Sequence, residues 1–234
     1  TLGGPERGGA SMQKLADWAH GNGELGNRVE PKLNDVADQI RESVQTAQGP
    51  VAVVEPADNI GGGAPGDTTN LLEFVLAEQF PNSAIVLNDP DVVAELADTE
   101  INSTVQVQLG AKRSASFCAF VKVQATLISK SNGQFDLEDR NSHLSSMCGV
   151  HIDMGNCVVL KSGEVSILVT SRMTPPFDLG QLRSQGIIPE SCSLIVVKAA
   201  VAHRRAYNPI TSASFTVNTV GTCSSDIKSY AFNK

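Results

Sequence analysis

Cationic residues are in short supply. Lys and Arg number 18 against 25 Asp and Glu, a formal charge of −7 over 234 residues. A nucleic-acid surface needs Lys and Arg clustered against phosphate, so this balance argues against one. No run approaches the roughly 18 to 20 apolar residues that span a bilayer, and no membrane partner is expected. The five cysteines, Cys118, Cys148, Cys157, Cys192 and Cys223, include no CxxC pair, which removes zinc-knuckle and thioredoxin-like readings. They read as reduced, mostly buried thiols, and a reducing, cytoplasmic compartment fits them. GxSxG, HExxH and a local nucleophile signature are all missing. So is an initiating Met. The opening TLGGPERGG resembles neither a start nor a signal peptide, and it reads as a piece of a longer chain.

What remains suits a globular protein, with 41% hydrophobic and 18% charged residues. A short helix is expected over 11–19 with Ser11 as N-cap, and a second over 32–47, where Leu33, Val36, Ala37, Ile40 and Val44 recur at helical spacing. Val51–Val54 reads as a buried strand and Ser83–Leu87 as another. Between them lies a helix carrying Leu71, Leu72, Val75 and Leu76, capped by Asp67 or Thr68. The centre alternates apolar and polar residues, at 105–109 and 121–128, and three more strands are expected at 150–154, 157–160 and 165–170. That block reads as an antiparallel sheet. Helices at 178–185 and 201–207 and strands at 193–197 and 214–217 return to α/β order. The fold class is therefore mixed α/β with an inserted antiparallel sheet. Its expected parts are a Gly-rich start with linker helices (1–48), an α/β domain (49–220) and a tail (221–234).

The run from Asp58 to Asp67, DNIGGGAPGD, is the strongest local signal. Glycines between a strand and a helix allow close approach of a ligand. Neither the P-loop spacing nor GxGxxG is present, and Asp58 and Asp67 would repel polyphosphate. The run is either a tight turn that positions the helix or, with its carboxylates and Asn59, a ligand or interface loop. Arg172 follows one buried strand and Lys198 another, with Arg204 on the next helix. Ligands of open α/β sheets bind at the carboxyl ends of strands, so the loop, Arg172 and Lys198 are expected to converge there. Each cation alone would be an ordinary ion pair. His151 and Asp153 share a strand face and could contribute to a metal site, but no third ligand accompanies them.

These residues resemble the C-terminal region of the microcystinase C (MlrC) family. Ala57–Asp67 matches its hallmark loop. Met154-Gly155 with Val158-Val159-Leu160 is similar to its paired strands. Leu168–Arg172 with Pro176-Phe177-Asp178 and Arg183–Ile187 is similar to a third segment, and Val196-Val197-Lys198 with Arg204 and Tyr207–Ile210 to a fourth. Met173 and Ala199 depart from the pattern, as does the tail. The family comprises two-domain proteins similar to zinc metallopeptidases, and its namesake opens linear peptides. The resemblance implies a hydrolase whose zinc is bound by an N-terminal domain, in cis or as a separate chain, acting on a peptide or small amide. It assigns no catalytic residue and no metal ligand to this chain. Asp58, Asn59, Gly61, Gly62, Gly63, Gly66 and Asp67, with Arg172, Lys198 and Arg204, are the expected substrate-binding or domain-interface residues. The alternative is a non-catalytic α/β binding or scaffold module with a Gly-rich carboxylate-binding loop.

Overall fold

The computed structural model describes residues 4–26, 29–226, 228 and 230. In chain order its elements are α1 (Gly4–Gly21), α2 (Leu33–Thr46), β1 (Val51–Val54), α3 (Asn70–Glu78), β2 (Ser83–Asn88), α4 (Pro90–Glu95), β3 (Thr104–Leu109), β4 (Val121–Ser131), β5 (Gln134–Asp136), α5 (His143–Cys148), β6 (His151–Asp153), β7 (Cys157–Ser162), β8 (Val165–Thr170), α6 (Gly180–Arg183), β9 (Leu194–Val197), α7 (Arg204–Tyr207) and β10 (Ala213–Thr216).

Eight strands form one mixed sheet in the order β10-β1-β9-β2-β8-β7-β4-β3. β10, β1, β9, β2 and β8 run parallel, and β7, β4 and β3 add antiparallel neighbours beyond β8. The antiparallel block thus extends the parallel sheet. The separate sheet is the small β5–β6 pair.

The difference between continuous and alternating sequence follows from burial. β1, β2 and β9 are buried along their whole length, so both of their faces must carry apolar or small residues. Val53, Ile85 and Val196 point to one face, where α2, α3 and α4 pack with Ile40, Leu72 and Val92. Val54, Val86 and Val197 point to the other, which Phe135, Leu144, Ile152, Leu182 and Tyr207 cover. Toward β4 and β3 that second cover stops. Gln106, Gln108, Lys122 and Gln124 stand exposed there, opposite buried Val107 and Val123.

Several local expectations change. α1 is longer than 11–19, and its described residues are almost all exposed. α3 begins at Asn70; Thr69 before it makes no side-chain cap because its hydroxyl donates to Ala119 O, and the expected caps Asp67 and Thr68 bond elsewhere. The helix expected over 201–207 is only the single turn of α7. All five cysteines are free, and only Cys157 and Cys192 are buried. Burial pushes the Cys157 thiol up to about 12 and Cys192 to about 11, which leaves both as inert thiols.

Candidate functional site

The carboxyl end of β1 runs into two short 3-10 turns, Pro56–Asp58 and Ile60–Gly62. Proline at the start of the first turn removes an N–H that such a turn cannot satisfy. Gly66 sits at φ 77°, where a Cβ would also strike Ile60. That conformation turns the chain back, so that the Asn88 N–H at the end of β2 donates to Gly66 O.

Asp58 organises this loop from within. Fully buried, it accepts from the Gly66 N–H at 2.9 Å, the Thr68 N–H at 2.9 Å and the Thr68 hydroxyl at 2.8 Å. Lys198, at the carboxyl end of the neighbouring β9, completes it. Its ammonium is 2% exposed and donates to Asp58 Oδ2 at 2.8 Å, Glu55 Oε2 at 2.7 Å, and the carbonyl and hydroxyl oxygens of Thr68 at 2.9 Å each. Thr219 donates to the other Glu55 oxygen at 2.9 Å. Burial works against the charged ammonium, but Glu55 and Asp58 outweigh it and hold the Lys198 pKa above its ordinary value. With its N–H donors engaged and the group buried, Lys198 is a strut for the loop, with no route to act as a base or nucleophile.

Asp67 anchors the far side of the loop. It is buried and accepts from the Arg113 N–H at 2.7 Å and the Ser114 hydroxyl at 2.5 Å, while its carbonyl accepts from the Ala111 N–H. Asp89 caps α4 through Val92 and takes the Gly110 N–H at 2.9 Å and Lys112 Nζ at 3.3 Å. Two buried carboxylates therefore pin the 110–114 turn against the loop.

Only the apex faces solvent. Gly61, Gly62 and Gly63 are exposed, with Asn59 half-buried at their base. A Cβ at Gly61 would meet Phe177 at 2.4 Å, and one at Gly62 the Asn59 amide at 2.9 Å. At Gly62 the glycine therefore answers a close approach, without a left-handed φ. Asn59 Oδ1 is buried and has no hydrogen-bond partner among the described residues.

Of the three strand-end features expected to converge, the loop and Lys198 meet directly. Arg172 instead pairs with Asp153, and both are substantially exposed. Arg204 opens α7 on the surface. His151 pairs with Asp136 across β5–β6, at 2.6 Å. His203 is buried against Tyr207; burial, with Arg204 beside it, pushes its pKa down to about 4, so it is neutral at pH 7. Sequence spacing predicts no site role for Glu55 or Thr219, and for Thr68 only a helix cap. Glu55 did carry a signal, as a charge placed directly after the apolar run Val51–Val54.

The donor set does not fit a metal ion. Among the described residues no three His, Cys, Asp or Glu side chains gather to hold one. Glu55 and Asp58 already accept from an ammonium, hydroxyls and backbone N–H groups.

Comparison with known proteins gives two results. Residues 53–234 match the family model described as the MlrC C-terminus. Among solved structures, the crystal structure of a "putative metallopeptidase" from Mesorhizobium sp. BNC1 aligns with TM-score 0.78 at 20% identity, covering 94% of this chain and 42% of that one. At that identity the likeness is one of fold, and the chain spans less than half the relative's length. No curated protein matches the sequence.

Proposed function

Because this chain belongs to the MlrC C-terminal family, we propose that it is the substrate-facing part of a hydrolase of the metallopeptidase kind, binding a peptide or small amide or closing the cleft over it. The observation that carries this reading is the exposed Gly61–Gly63 apex, set on a buried base that Asp58 and Lys198 tie together at the carboxyl end of the sheet. Ligands of open α/β sheets are met at that end.

A side-chain-free apex lets an extended peptide, or the surface of a second domain, approach the backbone closely. Asn59 Oδ1, buried and unmatched beneath the apex, would have to rotate outward to accept from such a partner. A rigid base means little ordering is needed on contact, which favours tight docking. The hydrolytic metal, zinc in the family, would sit on an N-terminal domain, in cis or as a separate chain. The residues of this chain hold the loop and exclude water from its base.

The carboxylate-binding alternative finds less support. The N–H groups of Ile60, Gly62, Gly63, Gly66 and Thr68 are all taken inside the loop or by Lys198 O, so few remain to cradle an anion.

Gly62→Val tests the apex. In a protein carrying both domains it should cost about 1–3 kcal/mol, because its Cβ must displace the Asn59 amide, and leave the chain folded while peptide hydrolysis falls steeply. Wild-type turnover in that variant would remove the apex from the reading.

A further inference from the structure

β3 is the last strand of the sheet, and nothing described pairs with its outer side. Natural proteins guard such edges with charge, proline, bulges or short length. The sequence of β3, TVQVQL, has six residues and none of these guards within it; Lys112, just beyond it, covers Gln108 O. The opposite edge, β10, is four residues long.

The phase of the β3–β4 ladder shows which backbone groups are open. The Leu127 N–H donates to Ser103 O, one step before the Thr104–Thr126 pair. Antiparallel alternation then turns the backbone groups of Val105, Val107 and Leu109 toward β4. Those of Thr104, Gln106 and Gln108 face outward. Lys112 confirms the phase by reaching Gln108 O from the open side at 2.6 Å.

We infer that β3 is the interface with a second copy of this chain, pairing antiparallel with its twin across a twofold axis at Gln106. In that register Gln106 exchanges hydrogen bonds with itself and Thr104 with Gln108, giving about six backbone bonds, two of which require Lys112 Nζ to move off Gln108 O, and one continuous sheet through both copies. The charges at the strand ends favour the second copy as occupant. Exposed Asp98 and Glu100 lead into β3, and exposed Arg113 follows it, beside Lys112, which is paired with Asp89 within its own copy. The twofold lays the acidic approach of each copy beside the basic exit of the other. The strand itself is uncharged, so two chains of net charge −7 meet there without direct repulsion.

Gln106→Lys and Gln106→Glu test this, because each sets like charges directly opposite each other at the axis while altering only an exposed side chain. By sedimentation equilibrium the full chain should weigh twice 24.7 kDa, and each variant alone 24.7 kDa. An equimolar mixture of the two variants should recover the double mass, which a folding defect could not do. Hydrogen exchange at the 104, 106 and 108 amides should slow in the wild type relative to either variant. A wild type that stays monomeric up to its solubility limit would overturn the proposal. So would variants that remain dimeric, or a mixture that does not reassociate.

Discussion

Lys198→Met is expected to cost about 3–5 kcal/mol, enough to leave the chain unfolded or close to it, because it strands buried Glu55 and Asp58 without their cation. Equilibrium unfolding in urea measures the loss, and a loss below about 1 kcal/mol would show that the cluster is not what holds the loop. The triple variant Lys198→Met, Glu55→Gln, Asp58→Asn should recover part of the deficit, since it removes the buried charges together. The pH dependence has a definite sign. Lys198 has a raised pKa in the folded state, so its contribution is complete below about pH 10.4, the ordinary lysine value, and is lost as pH climbs through the raised one. Wild-type stability should therefore decline in alkali, and the Met variant should lack that part of the decline.

Gly110→Ala is expected to be nearly as damaging. Gly110 sits at φ 75°, and an added Cβ would lie 2.6 Å from Asp67 O and from Thr69 Cγ2. A left-handed residue with a Cβ costs roughly 1–2 kcal/mol, and forcing the Asp67 backbone aside adds a packing cost, for a total of about 2–5 kcal/mol. Gly186 supplies the control. Just past α6, it sits at φ 77° with no atom within 4 Å of a Cβ, so Gly186→Ala should show the backbone term alone. Equal losses in the two variants by thermal unfolding would mean that the contact with Asp67 does not matter.

These residues mark where sequence reasoning reached and where it stopped. β1 and β9 were legible as unbroken apolar runs, and β3 and β4 as alternating ones, because burial on two faces or one writes itself into composition. The Gly-rich loop was legible as a run without a partner. What could not be read was the connection beneath it. Lys198 and Glu55 are 143 residues apart, and only the parallel β1–β9 pairing brings their strand ends together. The same non-local bonding moved Asp67 and Thr68 off their expected task. Local spacing makes both good helix caps, but Asp67 reaches across 47 residues to Ser114, and Thr68 bonds to Asp58. Arg172 shows the same limit. Its place after a buried strand was legible, but not that β6 sets Asp153 beside it. Of the β5–β6 pair, β6 was legible within 150–154, but β5 was hidden because its three residues are too few to show a period.

In the division of labour we propose, this chain supplies a rigid platform and the hydrolytic metal is held by other residues. The most direct measurement is the zinc content of the purified 234-residue chain after equilibration with excess metal and removal of the loosely bound fraction, made alongside hydrolysis of a linear peptide. Zinc well below one ion per chain, with no turnover, is the expected result. One tightly held zinc per chain accompanied by peptide cleavage would contradict it.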